Sequence, residues 1–454
     1  MQPNLSRSFT KLENLPSYKH IWKIAYPIIL SLLAQNVINV IDTAFLGRVG
    51  EVELGAAAIA GIFYIVLYMV GFGFSTGAQI LMARRNGEGK PREIGNIMDH
   101  SIYVMLALAI FLFVVIRFFS PAMLRPFIAS DDIYNASVVY LQLRIYGVFF
   151  AFFNVLSRAF FVGITKTKLL TISAMIMAAS NVLFDYLLIF GNWGLPAMGI
   201  GGAAIASVIA EGFSAVFFLA FILYMRERPD YGLFRFPKVD FSIIKKTLDI
   251  SVFLMLQYVF SLSAWFIFFM IIEKMGERSL AISNIIRSLY MVLMIPVWAF
   301  SVTTNTLVSN TIGRGFPDLV IPIIKKISGI SLLSVLIVIL PLLFIPGLLI
   351  RLYTPDADLI AETVPSVYVI FGAIVMFALS QNMFSGVSGT GNTRDALLIE
   401  SFTLIIYLFF PWFIGIKLQQ PIAIVWFCEY IYFTGLGIFS YFYLKSKRWQ
   451  SKAI

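Results

Sequence analysis

Cysteine and histidine are nearly missing from this chain of 454 residues: Cys428 stands alone, and His20 and His100 are the only histidines. A lone thiol excludes an internal disulfide and a cysteine-based zinc cluster, and two histidines outside any HExxH pattern exclude a zincin site. Charge is scarce as well. Charged residues make up 13% of the sequence, where a soluble domain carries about 25%, while 59% are hydrophobic and 16% aromatic, for a mean hydropathy of +0.88. Such a chain is neither disordered, nor collagen-like, nor a secreted disulfide scaffold; it has the composition of a polytopic membrane protein.

The net charge of +10 would suit a nucleic-acid partner only on the basic face of a soluble domain, and none is available. The basic residues follow topology instead. Apolar stretches at about 24–47, 54–83, 97–119, 133–162, 169–190 and 200–225, then 247–272, 279–311, 327–350, 359–388, 395–416 and 421–444, predict twelve transmembrane helices, each near or above the ~20 residues that cross a bilayer. Alternate connections together with the two ends hold 24 Lys and Arg on one side, against 7 on the other. That excess predicts a multi-pass protein of the cell inner (plasma) membrane with both termini cytoplasmic. The first 23 residues are polar or mixed, so no cleavable signal peptide is expected.

Slid along itself, the sequence aligns without gaps at an offset of 226 residues. Gly50, Glu51 and Leu54 fall on Gly276, Glu277 and Leu280; Phe74 and Ser75 on Phe300 and Ser301; Gly87, Gly89 and Pro91 on Gly313, Gly315 and Pro317; Gly163 and Thr167 on Gly389 and Thr393. The expected architecture is therefore all-α, with twelve helices in two pseudo-symmetric six-helix lobes, 1–225 and 247–454. Residues 226–246 form a cytoplasmic linker that carries six basic residues. Six helices is an even number, so the copies enter the membrane from the same side, an arrangement that suits alternating access around a cavity between the bundles.

The informative residues are those the repeat does not share. Asp42 falls on Phe268, Asp185 on Pro411, and Asn181, one turn before Asp185, on Tyr407. Counting about 1.5 Å per residue puts Asp42 roughly 27 Å and Asp185 roughly 24 Å from the inner ends of their helices, with Ser207 roughly 10 Å down from the outer end of the sixth. Four oxygen-bearing side chains, Asp42, Asn181, Asp185 and Ser207, thus share one level. An ionised carboxylate in hydrocarbon costs on the order of 2.5–3.5 kcal/mol or more, so two in one bundle call for a bound proton or cation. Hard oxygen ligands suit Na⁺, with Asp42 and Asp185 as its carboxylates, and the lack of thiol or imidazole at this level argues against a transition metal. Glu211, one turn from Ser207, extends this polar set. Arg144, Arg158 and Arg287 are expected to pair or snorkel, Glu400 lies near the cytoplasmic end of its helix, and Glu429 is the best acidic candidate of the second half. Pro27, early in the first helix, can bend it and so move Asp42.

On these residues the chain resembles the multidrug and toxic compound extrusion (MATE) family over nearly its whole length. The resemblance rests on Pro27 and Asp42 with the following FLGRVG, on Asn181 with Asp185, and on the GGAAIAS run from Gly201 to Ser207, whose last position is usually Thr in that family. Confinement of the acidic site to the first lobe makes it similar to the DinF-type branch. The resemblance implies a cation-coupled antiporter, driven by H⁺ or Na⁺, that exports amphipathic, often cationic or aromatic, organic compounds by alternating access. It implies no cofactor beyond the coupling ion. The cation would bind at Asp42, Asn181, Asp185 and Ser207, with Gln35, Asn39, Asn154, Met175 and Met177 as walls for the substrate. Partners would be small organic substrates and membrane lipids, with no nucleic acid, and a monomer would suffice.

Two rival readings use the same features. A lipid-linked oligosaccharide flippase of the same superfamily needs several arginines for a polyanionic head group, and only Arg144 and Arg158 are at hand in the fourth helix. A polytopic membrane enzyme needs a nucleophile, base or metal set at one depth; Asp42 and Asp185 mimic an aspartyl dyad, yet neither lies in a Gly-x-Gly-Asp motif. The chain is not expected to be an enzyme.

Overall fold

The computed structural model describes residues 15–451, and its membrane-spanning elements are helices throughout. Twelve spans follow in order: α1 (Tyr18–Val49), α2 (Glu51–Gly87), α3 (Pro91–Phe127), α4 (Asp131–Gly163), α5 (Lys168–Phe190), α6 (Gly199–Tyr224), α7 (Phe241–Glu273), α8 (Glu277–Leu293 and Ile295–Gly313), α9 (Pro317–Leu342), α10 (Ala357–Gly389), α11 (Thr393–Lys417) and α12 (Ile422–Lys445). Each covers most of one of the apolar stretches, but α9 ends at Leu342, short of the expected 350, and a separate short helix, Pro346–Arg351, takes up the rest of that stretch. Residues 1–14 and 452–454, the ends expected in the cytoplasm, lie outside the described residues.

Span α8 departs from the sequence expectation of one continuous helix, because its two segments meet at 45°. Pro296 stands at the start of the second segment; it has no N–H to offer, and its ring crowds the carbonyl four residues back. Pro27, by contrast, lies inside α1, which continues as one helix from Tyr18 to Val49.

Two compact units make up the chain. One is Leu30–Met255; the other joins the chain up to Ile29 to Leu256–Ile454. The division falls inside α1 and inside α7, so residues 226–246 belong wholly to the first unit. Within that unit the linker is bound, not loose. Asp99, 1% exposed on α3, accepts backbone N–H bonds from Phe234, Arg235 and Phe236 at 2.9, 3.0 and 3.0 Å. His100 accepts from the Asp240 N–H through Nε2 at 2.9 Å while Nδ1 bonds the Asn96 carbonyl at 2.7 Å, and Tyr103 donates to the Pro237 carbonyl at 3.0 Å. Positions 99, 100 and 103 share one helical face, so a single stripe of α3 carries the whole grip.

The duplication recurs as geometry inside each unit. Gly89 and Gly315 adopt φ of 68° and 82°, the left-handed turn that ends a helix, and Pro91 and Pro317 open the next helix where an N–H is not needed. Helices in a bilayer gain little from hydrophobic association and hold together by close packing of small residues. A Cβ on Gly163 would lie 3.2 Å from Met82 Cβ and 3.4 Å from the Gln79 carbonyl oxygen; on Gly389 it would lie 3.1 Å from Val308 Cβ and 2.7 Å from the Asn305 carbonyl oxygen. These partners are themselves 226 residues apart, so α4 meets α2 as α10 meets α8. The match is incomplete in the following turn, where Thr165 takes φ 62° and its counterpart Gly391 φ 89°.

Candidate functional site

In the first unit α1, α5 and α6 bring their polar residues to one place. The Asn181 amide, oriented with its nitrogen toward the carboxyls, donates to Asp42 Oδ1 at 2.8 Å and to Asp185 Oδ2 at 3.3 Å. The one amide thus bridges the two carboxyls. Asn181 is 1% and Asp185 0% exposed, and Asp185 Oδ1 has no hydrogen-bond partner among the described residues. The cluster therefore tests as a site for a small cation: a dry carboxyl oxygen stands unmatched beside an amide able to turn either its nitrogen or its oxygen inward.

A cavity of about 320 Å³ opens beside this cluster, entirely within the first unit. Asp42, Asn181 and Ser207 line it, while Asp185 lies behind its wall. Ser207 has no hydrogen bond to either carboxyl among the described residues, so it shares the cavity and not the carboxyl cluster. Of the residues expected as walls, Gln35, Asn39, Asn154 and Met177 line the cavity. Met175 does not: it is 62% exposed on the outer side of α5, because two residues turn a helix by about 200° and only one of the two methionines can face inward.

Three features of the site come from the geometry, although Arg144, Glu211 and Asn154 were each named in the sequence. Arg144, on α4 just before a 3₁₀ turn at Ile145–Gly147, forms a two-point ion pair with Glu211, at 2.8 Å to Oε2 and 2.5 Å to Oε1. Both side chains are about nine-tenths buried, and the guanidinium lies 3.9 Å from the centre of the Tyr64 ring, a stacked cation–π contact. Tyr64, Tyr68 and Tyr140 give the cavity an aromatic side; their i, i+4 spacing on α2, and that of Tyr140 with Arg144 on α4, is the signal that marks one face. Asn154, finally, lines the cavity and donates to the Glu211 carbonyl at 2.9 Å, while its own oxygen is buried with no partner among the described residues. The wall thus offers aromatic faces, an apolar methionine and a few convergent polar atoms, the make-up of a small-molecule pocket. Among the described residues no group of three or more His, Cys, Asp or Glu gathers as a metal centre.

Comparison with known proteins agrees with this geometry. A relative in Agrobacterium fabrum, named "Probable multidrug resistance protein NorM", is 29% identical over 243 residues, which are 52% of this chain and 51% of that protein; the alignment spans about half the length of that relative. A NorM of the same description in Pasteurella multocida is 22% identical over 407 residues, 89% of this chain and 86% of that one. Among solved structures, a MOP superfamily transporter from Pyrococcus furiosus superposes with a TM-score of 0.87 at 16% identity, over 96% of this chain and 97% of its own, a likeness of fold. The MatE family model matches residues 27–187 and matches again at 254–413, the two matches lying within one residue of the 226-residue offset. With one family model fitting both halves of a twelve-span membrane protein, the chain belongs to the MatE family of multidrug and toxic compound extrusion transporters.

Proposed function

We propose that the chain exports amphipathic, often cationic or aromatic, organic compounds across the cell inner membrane in exchange for an inward-moving cation. The observation that carries this reading is the Asp42–Asn181–Asp185 cluster set in and behind the wall of an aromatic-sided cavity. Two carboxyls bridged by one amide nitrogen support a shared proton as the coupling ion, since close carboxylates cannot both stay ionised cheaply; turning the Asn181 oxygen inward would serve Na⁺ instead. Ion and substrate need only favour different conformations for one to drive the other out. The moving bodies are the halves 1–225 and 247–454, joined through 226–246, with both termini cytoplasmic and the monomer as the working form. Restriction of the paired aspartates to the first half supports the DinF-type branch. Substrate contacts are assigned to Gln35, Asn39, Asn154 and Met177, with the tyrosine faces for aromatic cations. A polyanionic lipid head group suits the cavity poorly, since one of its two arginines is already held by Glu211.

The test is uptake of a fluorescent cationic dye into inside-out membrane vesicles under an imposed H⁺ or Na⁺ gradient. Wild type should accumulate dye under one gradient, and Asp42→Asn and Asp185→Asn should each abolish it. Transport that survives both substitutions rejects the paired-carboxyl mechanism.

A further inference from the structure

The second unit contains two carboxyls that the aspartate site does not use. Glu400 on α11 and Glu429 on α12 are each 3% exposed, and they are bonded in different ways. Each oxygen of Glu429 accepts one hydroxyl, from Tyr290 at 2.8 Å and from Tyr407 at 3.1 Å, so both ends of that carboxylate are satisfied. Among the described residues Glu400 receives Ser261 and Tyr432, the latter at 3.1 Å, on Oε1 alone, and Oε2 is buried without a partner.

Ser261 supplies the decisive detail. Its Oγ stands 2.9 Å from the Gln257 carbonyl of its own helix and also within hydrogen-bond distance of Glu400 Oε1. A hydroxyl has one hydrogen and cannot donate to both. The contacts are all satisfied if Glu400 is a carboxylic acid with its proton on Oε1: Oε1–H donates to Ser261 Oγ, Ser261 donates to the Gln257 carbonyl, and Tyr432 donates to Oε1. The orphaned Oε2 is then a neutral carbonyl oxygen, which costs far less to leave bare in a dry interior than a carboxylate oxygen.

We propose that Glu400 is a proton-binding site of the second unit, separate from Asp42 and Asp185, held by Ser261 from α7 and Tyr432 from α12. Among the described residues the groups bonded to Glu400 are these two hydroxyls, and those bonded to Glu429 are the hydroxyls of Tyr290 and Tyr407, with Cys428 beside it in the chain. Helix α10 packs against α11 and α12 and has its carboxylates, Asp358 and Glu362, near its start, with Glu362 bound to Arg278 at 2.9 Å. On binding, the Glu400 carboxylate takes up H⁺ to give the acid, and release reverses this. When the proton leaves, Ser261 must choose between the backbone of its own helix and Glu400, so proton occupancy sets how firmly α7 is tied to α11. The site stands or falls independently of the antiport reading, because its test does not measure transport.

The experiment is infrared spectroscopy of the purified full-length protein in ester-free detergent micelles at neutral pH, reading the C=O band of protonated carboxyls, with Asp42→Asn/Asp185→Asn as background. That background should keep a protonated-carboxyl band, and adding Glu400→Gln should remove it. Ser261→Ala, which leaves the carboxyl in place, should shift the band as its hydrogen-bond acceptor is lost. A background without the band, a band that survives Glu400→Gln, or a band that Ser261→Ala leaves unmoved would each overturn the assignment.

Discussion

Position by position, the two units place different chemistry on one helical frame. Asp42, Asn181 and Ser207, which line the cavity, correspond to Phe268, Tyr407 and Phe433, all buried in the second unit, where Phe268 also meets Trp426 with ring centres 5.0 Å apart. Tyr64 and Tyr290 are counterparts as well. The first offers its ring face to Arg144 and leaves its hydroxyl unpartnered, whereas the second points its hydroxyl at Glu429. Arg144 and Glu211 correspond to Ile370 and Gly437, while Glu400 and Glu429 correspond to Ala174 and Ala203. Duplication preserved the turns and close helix contacts and let the polar interiors diverge: one unit keeps an open polar chamber, the other an aromatic packing with sealed carboxyls.

The sharpest way to break this contrast is at the aspartates. Asp42→Asn or Asp185→Asn should bring gradient-driven dye uptake in vesicles down to that of membranes lacking the protein, while Glu429→Gln, in the sealed interior, should leave uptake measurable. Next comes the ion pair found only in the first unit. Arg144→Met strands a buried Glu211 and should lower thermal stability in detergent by about 3–5 kcal/mol, and Arg144→Met with Glu211→Leu should recover most of that loss. If the single and double variants melt together, the pair is solvated and the burial argument fails.

Smaller effects sharpen the likeness instead. Gly389→Ala pushes a methyl group against a backbone oxygen and should cost about 1–3 kcal/mol, more than Gly163→Ala, whose nearest neighbour is a side-chain carbon at a longer distance; equal melting shifts would show that the two contacts are not the same joint. In the turn that follows, Thr165→Gly should be neutral or stabilising by less than about 1 kcal/mol, since relief of a left-handed β-branched residue is partly offset by the freedom glycine gains in the unfolded chain. A clear loss of stability there would mean that the threonine side chain is needed in the turn.

Much of this was legible before any coordinates. Run length located twelve spans, and the rise per residue put Asp42, Asn181 and Asp185 at one depth, where they meet. Depth is not azimuth, however, and the misplacements are angular. Met175 was grouped with Met177 although the two point to opposite sides of α5, and Ser207 reaches the right level without joining the carboxyls. The break in α8 lay hidden in an unbroken apolar run whose Pro296 carries the message. Glu400 and Glu429 were visible as intramembrane acids, but their worth depends on which hydroxyls face them, and that is set by how α7, α8, α11 and α12 rotate against one another. The roles of Asp99 and His100 had no signal at all, because their partners are backbone amides, which every sequence supplies.

That last grip has a practical side. A polar stretch rich in Arg and Lys between two halves of a membrane protein is where one would expect trypsin to cut, and where one would insert a tag or split the gene. Proteases need an extended, detachable backbone, and here the N–H groups of Phe234, Arg235, Phe236 and Asp240 and the carbonyl of Pro237 are committed to Asp99, His100 and Tyr103. Since the hydrogen bonds are to amides, exchanging Arg235 or Lys238 for another residue with an N–H will leave them intact, whereas Asp99→Ala, a change elsewhere in the sequence, will open the segment to digestion.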